Sequence, residues 1–318
     1  MTRTTATCAA HGLASPSPSR GEGRGGGETQ ATLADWLSAA TAGMQSTMGL
    51  DRREARLEAQ LLAVHALDVA RPWLIAHADH RLGPQQQDDL HALLARRMTG
   101  EPIAYILGRR EFYGLDLAVT PAVLIPRPDT ETLVEAALAR LPAEHPVRVL
   151  DLGTGSGAVA LTLARHRPRA DILAVDRSPE ALAVARDNGR RLGLHNVRFM
   201  QSDWYARIGV KKFDMIVSNP PYVADSDPHL ARGDLRFEPL IALSAGADGL
   251  EAIRTIVAGA PARLESGGWL LFEHGHDQAE VCRTLLTAAG FEAPFTLPDL
   301  AGRPRVTGGR WPAGPGAS

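Results

Sequence analysis

In Val147-Arg148-Val149-Leu150-Asp151-Leu152-Gly153-Thr154-Gly155-Ser156-Gly157, an apolar stretch runs into a glycine-rich turn. The apolar part predicts a buried strand over 147–151, and the residues after the turn predict a helix from Gly157 to Arg165. The glycines let the backbone turn tightly and approach a ligand closely. Strand, turn and helix in this order are typical of an open α/β sheet that binds its ligand at the carboxyl ends of the strands.

The residues that follow repeat this alternation. Further strands are predicted at 172–176, 197–200, 213–218 and 268–273, and further helices at 179–192, 250–264 and 279–289. Two last strands, 291–297 and 305–311, are predicted to close the sheet. The alternation predicts an α/β fold with a mostly parallel sheet and helices on both of its faces.

The first third of the chain has a different character. Residues 1–30 are rich in Ser, Pro, Arg and Gly, so we expect a disordered tail without a secretory signal. From residue 31 to 100 the apolar residues recur at helical spacing, with Asp51 suited to cap one helix and Pro84 suited to open another. This region predicts a small helical bundle that forms a separate domain.

Residues 101–125 carry short apolar runs separated by glycines. Strands are predicted at 103–106, 112–115 and 119–125, and together they predict a β-hairpin linker between two domains. The catalytic domain is expected to span 126–318, and Asp129 or Thr130 is expected to cap its first helix.

The composition is that of a globular chain of about two domains, with 318 residues, 44% hydrophobic and 22% charged. A formal net charge of -2 gives no polyanion-binding signature, and the arginines that crowd 165–191 are expected to form a solvated helix face. No apolar run approaches the ~18 residues of a membrane span.

The cysteines and histidines predict neither a disulfide framework nor a metal site. Cys8 and Cys282 are the two cysteines, which favours a reducing compartment, the cytoplasm. The pairs His77/His80 and His274/His276 lack the surroundings of a zinc site.

A nucleoside site is predicted where the first two strands end. Asp176 ends the second strand roughly twenty residues after the glycine turn, and its carboxylate can accept both hydroxyls of a ribose. The spacing is G-x-G-x-G, not the G-x-G-x-x-G that seats a pyrophosphate, so the motif alone fits a dinucleotide or S-adenosylmethionine. Asp203 and Trp204 follow the third strand and offer an acceptor and an aromatic plate for adenine, which favours S-adenosylmethionine.

Asn219-Pro220-Pro221-Tyr222 follows the fourth strand. The two prolines fix the backbone and donate no N–H, so this turn is stiff. A planar NH2 group could donate one hydrogen to the side-chain oxygen of Asn219 and the other to the carbonyl of Pro220, with Tyr222 over its flat face. The segment therefore predicts the place where a nitrogen acceptor meets the methyl donor.

One family combines these motifs with several others: Arg109 to Gly114, Leu124 to Glu131, Asp151 to Gly157, Ala174 to Arg177, Gln201 to Trp204, Ser218 to Tyr222, Arg236 to Pro239, Leu271 to Gly275 and Arg303 to Trp311. In these segments the chain resembles the HemK/PrmC family, protein-(glutamine-N5) methyltransferases that act on peptide chain release factors. The Asn-Pro-Pro-Tyr turn is shared with adenine methyltransferases, whereas Ile125-Pro126-Arg127-Pro128 makes the match specific. Asp129 stands where the family commonly has Glu.

The resemblance implies a Rossmann-like class I S-adenosylmethionine-dependent methyltransferase sheet with a small N-terminal helical domain that recognises the substrate. It implies that S-adenosyl-L-methionine is bound by Gly153, Thr154, Gly155, Ser156, Gly157, Asp176, Trp204 and Asn219. It further implies that Asn219, Pro220, Pro221 and Tyr222 grip the glutamine of the Gly-Gly-Gln loop in class I release factors, with Asn219, Pro220 and Tyr222 catalytic. Arg127 is expected to order the loop near Glu238. We expect a monomer that binds neither a membrane nor nucleic acid.

Three other functions are compatible with parts of the sequence. An adenine-N6 methyltransferase would flip a base into the same turn, but it normally needs a basic recognition surface. A non-catalytic nucleoside-binding regulatory module would have no need to grip an NH2 group. A nicotinamide oxidoreductase is disfavoured by the glycine spacing.

Overall fold

The computed structural model describes residues 31–231 and 233–313. The predicted N-terminal tail, with Cys8, lies outside the described residues. Within them, none of the helices combines the length and the apolar character needed to cross a bilayer.

The N-terminal part is a helical bundle, as its periodicity predicts. Its helices are α1 (Leu33–Met48), α2 (Arg52–Leu67), α3 (Arg71–Ala76) and α4 (Pro84–Met98). The Asp51 side chain accepts the backbone N–H groups of Arg53 and Glu54, so it caps α2 as expected. A buried ion pair joins α2 to α4, with Arg97 Nε 2.6 Å from Glu58 Oε2.

The connecting region is partly a hairpin. It consists of the helix α5 (Ile103–Leu107) and the antiparallel strands β1 (Arg109–Phe112) and β2 (Leu115–Ala118). The strands predicted at 103–106 and 119–125 are wrong. Pro102 precedes α5, Gly108 ends it with φ 70°, and tertiary packing overrides the strand preference of its residues. Residues 119–125 form turns that the Tyr105 hydroxyl ties down through the carbonyl of Val123, at 2.6 Å.

The C-terminal part is the predicted α/β sheet. Its elements are α6 (Glu131–Leu138), β3 (Arg148–Leu152), α7 (Ala158–His166), β4 (Asp171–Asp176), α8 (Pro179–Arg191), β5 (Val197–Gln201), β6 (Phe213–Ser218), α9 (Glu251–Gly259), β7 (Leu264–Glu273), α10 (Ala279–Ala288), β8 (Glu292–Pro298) and β9 (Pro304–Arg310). The strand order is β5-β4-β3-β6-β7-β9-β8, and only the pairs β7–β9 and β9–β8 are antiparallel within this sheet. The prediction of a mostly parallel sheet is confirmed.

The order of the strands reverses at β3, which lies between β4 and β6. Such a switch point opens a crevice at the carboxyl ends of the strands. Buried residues of β3 alternate between two apolar cores, with Val149 in one and Leu150 in the other, so helices cover both faces of the sheet. The crevice therefore lies at the edge of a sheet whose two faces are both buried.

Two element ends differ from the prediction. Neither Asp129 nor Thr130 caps α6 through its side chain. Asp129 forms an ion pair with Arg305 on β9 instead, at 3.1 Å, and Thr130 points to the end of β6. Helix α9 ends at Gly259, earlier than the predicted 264, because Pro261 lies two residues beyond and cannot continue it.

Candidate active site

The strand register brings three segments together at the sheet edge. Leu152 pairs with Ser218, and Ser218 pairs with Phe272. The next residues along the three strands are Gly153, Asn219 and Glu273, so the glycine turn, the Asn-Pro-Pro-Tyr turn and a carboxyl group become neighbours. The Ser218 hydroxyl locks the first two together by donating to the carbonyl of Leu152, at 2.7 Å.

A cavity of about 480 Å³ opens at this edge. The predicted site residues that line it are Gly153, Thr154, Gly155, Ser156, Asp176, Trp204, Asn219 and Pro221. Gly157, Pro220 and Tyr222 do not belong to its lining among the described residues. The volume suits a small molecule such as a nucleoside derivative.

The glycine turn requires glycine at its last position. Gly157 has φ 86°, and a Cβ there would lie 2.8 Å from Leu161 Cδ1 on the following helix turn. A side chain at this position would thus clash with α7 and strain the backbone. Gly157 packs against Leu161 on α7, on the side of the turn that does not line the cavity.

Asp176 holds the glycine turn from the end of β4. Its Oδ2 accepts the N–H of Gly155 and its Oδ1 accepts the N–H of Ser178, each at 2.9 Å. Burial raises the pKa of this carboxyl, and the two backbone N–H groups counteract the rise. Each carboxylate oxygen keeps a free acceptor site, which suits a pair of ribose hydroxyls.

Asp151 is a second carboxyl in the cavity wall, 1% exposed. Burial raises its pKa to about 7, the Thr154 hydroxyl lowers it through a 2.6 Å hydrogen bond, and the charge of Asp176 raises it further. The structure therefore gathers two acidic groups where a positively charged ligand group would be stabilised.

Trp204 forms a flat wall of the cavity. It adopts φ 45°, which is unusual for a tryptophan, and its ring would lie 3.7 Å from a Cβ at Gly153. The indole also packs against the apolar core on this face of the sheet. It can thus present a fixed aromatic surface to a planar base.

Asn219 is held by Thr130, a residue that the sequence indicates only as a helix cap. Asn219 Nδ2 donates to Thr130 Oγ1 at 3.0 Å, so its NH2 group is engaged by the segment that leads into α6. The Gln278 side chain fixes the same turn by donating to the carbonyl of Tyr222, at 3.0 Å. The Asn219 oxygen is left available to the cavity.

Tyr222 points to a buried carboxyl. Its hydroxyl donates to Glu273 Oε1 at 3.1 Å, and burial raises the pKa of Glu273 to about 7. Sequence reasoning gave Thr130 only a possible role as a helix cap and gave Glu273 none, although both lie in segments that carry the family resemblance. An acidic residue that directly ends an apolar strand is the signal that could have found Glu273.

The expected contact between Arg127 and Glu238 is present. The Arg127 guanidinium donates to Glu238 Oε1, and the Glu238 side chain is completely buried. Pro126 and Pro239, the neighbours of this pair, both line the cavity. The ion pair thus ties two of the cavity walls together.

Several of the arginines and histidines that the sequence analysis considered as possible binding groups form hydrogen bonds within the protein. The arginines between 165 and 191 that donate to protein acceptors are Arg167, Arg169, Arg186, Arg190 and Arg191. His274 is buried, with Nε2 2.8 Å from Thr307 Oγ1 and Nδ1 2.7 Å from the carbonyl of Gly275. No group of three or more metal-ligating side chains occurs among residues 31–231 and 233–313.

Two family models match this chain. Residues 35–108 match the PrmC N-terminal domain, and residues 129–233 match the methyltransferase small domain. The first match covers most of the helical bundle together with α5. The second covers the glycine turn and the Asn-Pro-Pro-Tyr turn.

Curated relatives match most of the chain. A release factor glutamine methyltransferase of Xylella fastidiosa (strain 9a5c) is 52% identical over 260 residues, which is 82% of this chain and 94% of the relative. One of Escherichia coli (strain K12) is 46% identical over 276 residues, 87% of this chain and 98% of the relative. A solved structure of the release factor-specific protein-(glutamine-N5) methyltransferase from Alicyclobacillus acidocaldarius is 29% identical, with a TM-score of 0.38, and covers 62% of this chain and 99% of its own.

Proposed function

This chain belongs to the release factor glutamine methyltransferase family, and from that premise we propose how its residues carry out the reaction. The protein is an S-adenosylmethionine-dependent protein-(glutamine-N5) methyltransferase whose substrate is a release factor. In our proposal the Asn219 side chain and the Pro220 carbonyl hold the reacting carboxamide. Tyr222, which lies outside the cavity lining, supports this turn through its hydrogen bond to Glu273. The glycine turn, Asp176 and Trp204 hold the cofactor.

The cavity fits S-adenosyl-L-methionine. We assign the ribose to Asp176, whose carboxylate keeps free acceptor sites, and the adenine to the face of Trp204. The turn from Gly153 to Gly157 allows the close backbone approach that the rest of the cofactor needs. When bound, the cofactor supplies an electrophilic methyl group on a sulfonium.

The orientation of Asn219 is the observation that carries the proposal. Its NH2 group is engaged by Thr130, so Oδ1 is the atom offered to the cavity that the glycine turn shares. A carboxamide nitrogen is a weak nucleophile because its lone pair is delocalised into the carbonyl. Hydrogen bonds from its two N–H groups to Asn219 Oδ1 and to the carbonyl of Pro220 would raise the electron density on nitrogen and fix its direction.

Positioning is the main contribution of these residues. Asn219 does not titrate, so it cannot accept the proton that the methylated nitrogen loses, and that proton leaves to water. Orientation of two reactants can supply up to about 7–11 kcal/mol. The stiff proline turn and the hydrogen bond to Thr130 are suited to this task because they hold the acceptors in place before the substrate arrives.

The finer assignments follow from the family. We assign the Gly-Gly-Gln loop of class I release factors as the methylated segment, in translation termination in the cytoplasm. We propose that residues 31–100 recognise the substrate, that 101–125 link them to a catalytic domain at 126–318, and that the enzyme acts as a monomer without nucleic acid. The formal net charge of -2 supports the last point, since a surface that binds nucleic acid is normally basic.

One assay tests the proposal. The purified protein is incubated with methyl-labelled S-adenosylmethionine and either an intact release factor, its variant with the Gly-Gly-Gln glutamine changed to alanine, or nucleic acid. We expect label in the intact factor alone. Label in the alanine variant would place the reaction elsewhere on the factor, and label in nucleic acid would favour the adenine methyltransferase.

A further inference from the structure

Beside Asn219 lie two buried polar side chains that the proposed mechanism leaves without a function, of which Thr130 also lines the cavity. Thr130 is 3% exposed and Glu273 is 1% exposed. Asn219 Nδ2 donates to Thr130 Oγ1 at 3.0 Å, and the Tyr222 hydroxyl donates to Glu273 Oε1 at 3.1 Å. Burying such groups is unfavourable unless they are hydrogen-bonded, so their arrangement behind the substrate turn needs a physical reason.

Thr130 connects the two halves of this cluster. Its hydroxyl lies against the Glu273 carboxyl and lowers the pKa of that group. Glu273 Oε2 has no hydrogen-bond partner in the part of the chain that the structure describes, so a hydrogen bond between the two requires the Thr130 hydroxyl to turn towards it. Catalytic hydrogen bonds are often long in a ligand-free protein and tighten when the substrate binds.

The direction of these hydrogen bonds decides which atom Asn219 presents. A hydroxyl has one proton to donate, and an ionised carboxylate only accepts. An ionised Glu273 would accept a hydrogen bond from the Thr130 hydroxyl, which leaves a lone pair of Thr130 Oγ1 for the NH2 group of Asn219. The Asn219 oxygen then faces the cavity.

A neutral Glu273 removes this constraint. The carboxylic acid can donate a hydrogen bond to Thr130 Oγ1. The Thr130 hydroxyl can then donate a hydrogen bond to Asn219 Oδ1. The carboxamide would rotate and present its NH2 group to the NH2 group of the substrate, where two donors meet and neither is satisfied.

We propose that Thr130 and Glu273 are positioning residues that hold the Asn219 carboxamide with its oxygen towards the reacting nitrogen. This inference rests on the proposed role of Asn219 as the acceptor. Neither residue contributes an atom to the reaction, and both act through Asn219.

The charged surroundings of Glu273 make its ionisation relevant to activity. Burial raises its pKa to about 7, Thr130, Tyr222 and Arg305 lower it, and Asp129 raises it. These groups come from the segment before α6, from the turn after β6 and from β9. The carboxyl therefore changes its charge near pH 7. At higher pH it is ionised, and the orientation with the Asn219 oxygen towards the cavity is favoured.

The test compares Thr130→Val with Thr130→Ser. Valine keeps the shape of threonine but removes the hydroxyl, whereas serine keeps the hydroxyl. We expect Thr130→Val to lower kcat/KM for release factor methylation roughly tenfold and Thr130→Ser to retain most of it. Calorimetry should give both variants the cofactor affinity of the wild type. Thr162→Val, which removes the buried hydroxyl bond to the carbonyl of Ala158 on α7, is the matched control.

The pH profile gives a readout that a merely structural role would not move. Wild-type kcat/KM should decrease as the pH falls through about 7, which forms the acidic limb of the pH profile. Glu273→Gln should have a lower kcat/KM at all pH values and should lack this acidic limb. Equal activity of Thr130→Val and wild type, an equal defect in the valine and serine variants, or an unchanged limb in Glu273→Gln would each overturn the inference. Asn219→Ala separates it from the proposed function: if that variant stays active, the role of Asn219 itself fails.

Discussion

The guanidinium of Arg127 is hydrogen-bonded to the completely buried carboxylate of Glu238, 111 residues further along the chain. The pair joins the segment that leads into α6 to the segment that follows the Asn-Pro-Pro-Tyr turn. Arg127 is 33% exposed, so water screens only one side of the pair. A buried carboxylate that loses its cation is strongly destabilised, whereas an exposed one is not.

Reversing this pair should reveal coupling between the two residues. We expect Arg127→Glu and Glu238→Arg each to lower the free energy of unfolding by roughly 3 kcal/mol or more. The double variant should recover at least about 1 kcal/mol of the summed loss, measured by urea unfolding in a double-mutant cycle. The exposed pair Arg254 and Asp248 is the control and should couple weakly. Strict additivity for Arg127 and Glu238 would show that they do not act as a pair.

Asn219→Ala should abolish most methyl transfer while the fold persists. The change removes the oxygen that accepts a substrate N–H, and the loss of one preorganised polar contact in an active site typically costs about 100-fold or more in kcat. Asn219 is only partly buried and lies at a strand end, so the core is not disturbed. Turnover is measured with purified release factor and labelled cofactor.

Circular dichroism and cofactor calorimetry control for that result. The variant should melt as a folded protein and retain most of its affinity for S-adenosylmethionine, because the glycine turn, Asp176 and Trp204 are intact and Asn219 is only one of the residues assigned to the cofactor. Wild-type turnover by Asn219→Ala would refute the assigned role of the side chain.

Asp176→Ala should weaken cofactor binding more than it weakens the fold. The carboxylate holds the N–H groups of Gly155 and Ser178 and keeps acceptor sites for the ribose. Hydrogen bonds to a charged group contribute about 1.5–3 kcal/mol, so the dissociation constant measured by calorimetry should rise roughly tenfold to a hundredfold. Asp171→Ala, at the exposed start of the same strand, should bind normally. An unchanged affinity of Asp176→Ala would contradict the ribose contact.

The sheet could be predicted from sequence because its strands are continuous apolar runs that end at glycine, proline or acidic residues. The run 213–218 and its proline turn, for example, leave no other regular structure available. The segment 103–107 was predicted wrongly, since a short apolar run has no periodicity that separates a helix from a strand. Its helix is decided by packing against residues such as Val123 and Ile125, which lie far along the chain in turns.

The sequence indicates site residues whose own type and place after a strand suggest a function, but it does not indicate contacts between residues that are distant in the chain. Asp176 ends β4, Trp204 follows β5, and both line the cavity. The hydrogen bond between Thr130 and Asn219 spans 89 residues and depends on the register of the sheet. For the same reason Tyr222, expected to face the substrate, could not be predicted to reach Glu273.

Two buried carboxyls should make the protein more stable as the pH falls towards 6.5. Burial raises the pKa of both Asp151 and Glu273 to about 7, whereas carboxyls in an unfolded chain titrate near about 4. Between these values the folded state binds more protons than the unfolded state. The free energy of unfolding must therefore increase as the pH decreases through this interval.

Urea unfolding at pH 8 and pH 6.5 measures this effect. We expect a higher free energy of unfolding at the lower pH, by at most about 1.4 kcal/mol per pH unit for each carboxyl. The interval ends at 6.5 because burial lowers the pKa of His274, which then works in the opposite direction. Asp151→Asn should remove part of the slope, and Asp171→Asn, at an exposed position, should leave it unchanged. A slope that both Asp151→Asn and Glu273→Gln leave unchanged would mean that neither carboxyl takes up a proton in this interval, and the switch proposed for Glu273 would then have no proton to respond to.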